Sequence, residues 1–91
     1  MAGDVVLYVG SNCLFCDRMK KRIHAYIDQK SGLALTEINT DGFDWNAPEH
    51  AWLRAKSGGG IPMPPFVVFN DFLYSGHSLY HELPEDIAAA P

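Results

Sequence analysis

The chain predicts a single α/β domain, a four-stranded mixed sheet flanked by helices in the order β-α-β-α-β-β-α. Three observations carry that reading. A short apolar run, Val5-Val6-Leu7-Tyr8-Val9, leads through a polar turn into a basic segment with helical apolar spacing. A second run, Phe66-Val67-Val68-Phe69, is followed by Asn70-Asp71 and the return run Phe72-Leu73-Tyr74, which is the pattern of a β-hairpin. The length of 91 residues suits one hydrophobic core and not two.

The first strand is expected over 4–9, apolar on both faces and therefore buried on both. Gly10-Ser11-Asn12 is a turn, with Asn12 or Ser11 as the N-cap of a helix over 13–29. Met19, Ile23, Tyr26 and Ile27 fall at i, i+4, i+7 and i+8, one apolar stripe. Ser31-Gly32 ends the helix, Gly32 supplying the left-handed residue that a helix stop favours. A second strand follows over 33–38, and Asn39-Thr40-Asp41-Gly42 is a turn. Strand, helix and strand in succession imply a parallel pair with a right-handed crossover.

Asp44 or Asn46 is expected to cap a second helix over 47–56, with Pro48 in its first turn and Trp45, Trp52 and Leu53 on its inner side. Ser57-Gly58-Gly59-Gly60 stops it. Ile61-Pro62-Met63-Pro64-Pro65 then leads into the hairpin, Ser75-Gly76 breaks the return strand, and 78–83 and 84–89 are short helical pieces, the last one frayed. Tyr8, Trp45, Trp52, Phe66, Phe69 and Phe72 read as core or edge packing. His24, His50 and His81 read as surface residues.

Composition excludes some classes of function. Hydrophobic residues make up 47% of the chain and the net charge is −4, which argues against a nucleic-acid partner. Five of the seven basic residues (Arg18, Lys20, Lys21, Arg22 and Lys30) sit in the segment of the first helix, where a solvated face explains them. Met1-Ala2-Gly3-Asp4 has no basic targeting region, and the apolar run after it is too short for a signal sequence or a membrane span. The expectation is a cytoplasmic monomer with no membrane association, in a compartment where thiols are kept reduced.

The two cysteines of the chain, Cys13 and Cys16, are spaced C-x-x-C between the first strand and the first helix. In a βαβ context that placement points to thiol–disulfide chemistry. A helix N-terminus offers unpaired N–H groups and the positive end of the dipole, so Cys13 there should ionise below the ordinary thiol range. Cys16, one turn on, is the resolving thiol, and the charge of Asp17 opposes the effect. Residues three apart on a helix hold their Cβ atoms roughly 5–6 Å apart, so closing a disulfide distorts the first turn.

Together, Cys13-Leu14-Phe15-Cys16 and Met63-Pro64-Pro65-Phe66-Val67-Val68-Phe69-Asn70-Asp71, with Gly76 beyond, resemble the glutaredoxins of the thioredoxin-fold superfamily. The resemblance implies a thioredoxin-like fold and reduction of protein or glutathione mixed disulfides. It makes Cys13 and Cys16 catalytic and Pro65 the cis-proline facing them. Leu14, Phe15, Pro64, Pro65, Gly76 and His77 would contact substrate. Glutathione or a thioredoxin-reductase-type enzyme would supply electrons to a protein that acts on disulfide-containing proteins and holds no tightly bound cofactor.

The chain also departs from that family. Gly10-Ser11-Asn12 stands where a lysine is usual, Leu14-Phe15 replaces Pro-Tyr, and Ser75-Gly76-His77-Ser78 replaces a Gly-Gly pair. Pro64 lacks the N–H that normally pairs with substrate, a loss of about 0.5–1.5 kcal/mol that predicts weak glutathione binding.

Two other classes fit parts of the pattern. Cys13 and Cys16, with His77 and His81 four residues apart, make a donor set for zinc, and the cysteines could hold an iron–sulfur cluster, across a dimer if need be. A non-catalytic interaction module on the same fold is the third, and two intact cysteines argue against it.

Overall fold

The computed structural model describes residues 3–28 and 32–90. Strand β1 (Gly3–Val9) leads to helix α1 (Leu14–Asp28) and strand β2 (Leu33–Asn39). A 3-10 turn (Pro48–His50) runs into helix α2 (Ala51–Lys56), then strands β3 (Phe66–Phe69) and β4 (Phe72–Tyr74) and helices α3 (His77–His81) and α4 (Leu83–Ala89). The four strands form one mixed sheet in the order β2-β1-β3-β4. β1 and β2 are parallel, with Val9 opposite Asn39, while β3 runs antiparallel to both β1 and β4.

Side chains alternate across a strand, and β1 therefore feeds two cores. Val5, Leu7 and Val9 pack with Cys16, Met19 and Ile23 of α1 and with Leu79, Leu83 and Ile87 of α3 and α4. Val6 and Tyr8 face the opposite way, toward Leu53 of α2, Phe43 and Trp45. Tyr8 pairs with Phe66 across the antiparallel register, and their rings stack at 4.6 Å. Both faces of the central strand are covered, as its uninterrupted apolar run predicts.

The hairpin turn is Asn70-Asp71, both with positive φ (50° and 65°), the geometry that suits the right-handed twist of paired strands. Lys56 at the end of α2 holds this turn through the Asp71 carboxylate at 3.0 Å and through the Asp71 carbonyl. Gly32, with φ 88°, has the left-handed conformation expected beyond the first helix. The expected end of that helix at Gln29, together with Lys30 and Ser31, lies outside the described residues, as do Met1, Ala2 and Pro91.

Several expectations are corrected. α1 begins at Leu14, so Cys13 rather than Asn12 or Ser11 takes the cap position, and its carbonyl accepts the Cys16 N–H at 3.3 Å. Asn12 is instead the left-handed residue of the turn, with φ 57°. The second helix is split, because Pro48 starts a 3-10 turn whose cap residue is Ala47. Asp44 does not cap it; its side chain accepts the Asn46 N–H at 3.0 Å and closes a local turn. Trp52 lies on the outer side of α2, 45% exposed, leaving Leu53 as that helix's buried residue, whereas Phe72 keeps the edge-packing alternative, on edge strand β4 with its ring 4.9 Å from that of Tyr74. His50 is half-buried, stacked on Phe43 at 4.2 Å. The C-terminal helix is not frayed over 83–89, for Leu83 and Ile87 are buried against α1 and the sheet.

Candidate active site

Parallel strands end at the same edge of a sheet, and ligand sites in α/β proteins collect at those carboxyl ends. Here β1 ends at Val9 and β2 at Asn39. Because β3 is antiparallel to β1, with Tyr8 opposite Phe66, its start lies at that same edge, and so does the end of β4 at Tyr74. The topology therefore brings four sequence-distant segments together: Gly10–Cys13, Thr40–Asp41, Met63–Pro65 and Ser75–Gly76.

Cys13 and Cys16 are joined as a disulfide with Cα atoms 5.3 Å apart, inside the usual span for such a bridge. The two sulfurs differ in surroundings. Cys16, on the inner side of α1, is 4% exposed and packs with Met19 and Val9, whereas Cys13 is only partly buried. The cysteine at the helix start is the one that an incoming molecule can reach.

The turn that delivers Cys13 is held from β2. Thr40 donates to the Val9 carbonyl from both its N–H (2.8 Å) and its hydroxyl (3.1 Å), and it is a polar residue buried among apolar ones. Asp41 accepts the Ser11 N–H on both carboxylate oxygens, at 3.1 and 3.2 Å. Hydrogen bonding from Ser11, by side chain and backbone, holds the Asp41 carboxyl below its ordinary range. Gly10 sits between these walls; a Cβ there would lie 3.5 Å from both Asp41 Oδ1 and Pro64 Cγ. Neither Thr40 nor Asp41 is a site residue in the sequence reading. Their signal was the polar turn that follows a strand parallel to β1.

Opposite the cysteines, the Pro64–Pro65 peptide is cis. The corner after β4 is closed by Ser78, whose hydroxyl accepts the Ser75 N–H and donates to the Ser75 carbonyl, both at 2.9 Å. Gly76 in that corner has φ 54°, a conformation that favours glycine.

Two grooves are lined by Cys13, and a third adjoins one of them through Phe15, Met63 and Pro64. The adjoining groove, about 380 Å³, is walled by Phe15, Pro64, Pro65, Gly76, Leu79 and Tyr80. A middle groove contains Cys13, Leu14 and Phe15 and is closed by Asp41, Met63 and Pro64. The last runs over Cys13 and Cys16 toward Asp17, Lys20, Glu37 and Asn39. The structure thus gathers Cys13, Cys16, Leu14, Phe15, Pro64, Pro65 and Gly76 around one place. It does not bring His77 into these grooves: His77 is exposed at the start of α3, its ring stacked on His81 at 4.3 Å.

Among the described residues no group of three or more His, Cys, Asp and Glu side chains is arranged to hold a metal ion. No helix among them is long and apolar enough to cross a membrane. Comparison of the chain with protein-family models, with characterised proteins and with solved structures yields no match.

Proposed function

We propose that the protein is a small dithiol oxidoreductase of glutaredoxin-like, thioredoxin-fold type, reducing disulfides through Cys13 and Cys16. One observation carries the reading: two cysteines at bonding distance at the start of α1, one reachable and one buried beneath it. In the reduced protein, the Cys13 thiolate attacks one sulfur of a substrate disulfide. That S–S bond breaks, and the departing sulfur keeps its electron pair and takes a proton from solvent. Cys16 then attacks Cys13, the mixed disulfide breaks, and the substrate leaves as its second thiol. Two electrons and two protons have passed to the substrate, and the protein is left as the Cys13–Cys16 disulfide. A thiol reductant, glutathione or a thioredoxin-reductase-type enzyme, resets it.

The surroundings fit these roles. The first turn of α1, which starts at Leu14, presents its N–H groups where charge develops on Cys13. Burial of Cys16 keeps the resolving thiol from outside reagents and leaves Cys13 as the point of attack.

The test is a disulfide-reduction assay driven in parallel by glutathione with its reductase and by thioredoxin reductase. The expected result is turnover with at least one donor and its loss in Cys13→Ser. Full turnover by Cys13→Ser contradicts the reading.

A further inference from the structure

Around Cys13 the surface changes character from one side to the other. The groove walled by Phe15, Pro64, Pro65, Leu79 and Tyr80 carries no charged side chain. Phe15 and Met63 of its lining are 54% and 77% exposed and Leu14, in the adjoining groove, 68%, an unusual density of large apolar side chains in water. The middle groove and the one beyond it carry Asp41, Asp17 and Glu37 against a single cation, Lys20. Lys20 is itself taken up by Glu37, with Nζ 2.8 Å from Oε2. Arg18, Lys21 and Arg22 line none of the three grooves, and Arg22 lies over the Tyr80 ring at 5.3 Å.

We infer that the preferred substrate of this site is a polypeptide disulfide whose cysteine is flanked by a large apolar residue on one side and a basic residue on the other, in preference to a glutathione disulfide. The inference rests on the redox reading above and narrows its substrate. Glutathione brings two carboxylates and one ammonium, a net negative charge, to the sulfur it offers. Lys20 and Glu37 pair with each other and leave Asp41 and Asp17 as the unpaired charges of the lining, so like charges meet where a complementary pair is needed. Pro64 and Pro65 themselves have no N–H to give a carboxylate. A peptide's apolar side chain, by contrast, covers Phe15, Pro65 and Leu79, and its lysine or arginine faces Asp41 and Asp17. Asp41 is suited to that role because the bonds from Ser11 fix its position and keep it ionised.

In the exchange, the Cys13 sulfur bonds to the peptide sulfur, the substrate S–S bond breaks, and the second sulfur of the substrate leaves with the electron pair.

The test uses reduced full-length protein and 2-thiopyridyl mixed disulfides of end-capped peptides: Leu-Cys-Lys, Lys-Cys-Leu, Glu-Cys-Glu and Gly-Cys-Gly. The same adduct of glutathione completes the set. Release of pyridine-2-thione gives each rate, divided by the rate with a neutral small dithiol to remove intrinsic reactivity. One of the two Leu/Lys peptides is expected to react about tenfold faster than glutathione or Glu-Cys-Glu, with the advantage falling at high salt. Asp41→Asn and, separately, Asp17→Asn should each narrow the ratio of Lys-flanked to Glu-flanked rates. Equal or faster reaction with glutathione, or a ratio unchanged in both variants, overturns the inference and leaves the redox reading standing. Exchange with none of the probes, while the small dithiol reacts, overturns both.

Discussion

The carboxylate of Asp41 receives the Ser11 N–H on both oxygens, at 3.1 and 3.2 Å, and so ties the exit of β2 to the turn that places Cys13. Residues 30 apart in sequence share this contact because β1 and β2 are parallel and end in register. Its pH dependence has a definite sign. The folded carboxyl ionises below the ordinary range, so its contribution to stability is present above the ordinary carboxylate pKa. That contribution is lost as pH falls through the lowered folded value. The Ser11 amide resonance should report this titration, and the step should vanish in Asp41→Asn, which keeps an acceptor but cannot ionise. An amide shift that titrates identically in the variant would exclude the contact.

Thr40 holds the same turn from inside. Its hydroxyl and its N–H both donate to the Val9 carbonyl, so Thr40→Val removes one bond of two and preserves the shape. The expected loss is about 1 kcal/mol in urea unfolding, with an unchanged m-value. A neutral result would mean that the N–H alone satisfies the Val9 carbonyl.

Tyr74 on β4 donates to Asp86 on α4, linking the outermost strand to the C-terminal helix. Burial, with the Asp86 hydrogen bond and charge behind it, raises the Tyr74 phenol above its ordinary range. A raised folded value favours the neutral form. This stabilisation is complete below the ordinary tyrosine pKa and drains away as pH rises beyond it toward the folded value. Tyr74→Phe should cost about 1 kcal/mol at neutral pH and flatten the stability curve above pH ~10. Denaturant melts at neutral and alkaline pH separate the two effects.

Met19 lies one turn beyond Cys16 and is fully buried against β1 and α4. Met19→Ala is expected to destabilise the fold by about 2–5 kcal/mol through cavity formation. Trp52→Ala, at an exposed position of α2, should cost about 1 kcal/mol or less. Thermal unfolding of the pair measures the contrast, and similar losses would misplace one of the two side chains.

These cases mark what could be read in advance. β1, β3, β4 and the Asn70-Asp71 turn follow from short apolar runs and turn chemistry, which are local, and the stripe Met19–Ile23 follows from helical spacing. Trp52 differs from its expected inner position because residue type suggests burial, while the face that is covered depends on neighbours far away in sequence. The site was half legible for the same reason. Cys13, Cys16 and the proline pair carry their own patterns, but Thr40 and Asp41 acquire a role only through the parallel register of β1 with β2. The N-cap moved from Asn12 to Cys13 because Asn12 took the left-handed turn conformation, a choice that composition does not dictate.

The most direct measurement is intact-mass analysis, under non-reducing conditions, of reduced Cys16→Ser protein incubated with a peptide disulfide. The expected result is a stable adduct of one peptide through Cys13, which wild-type protein resolves to its internal disulfide. No adduct, or an adduct formed equally well through Cys16 in Cys13→Ser, would contradict it.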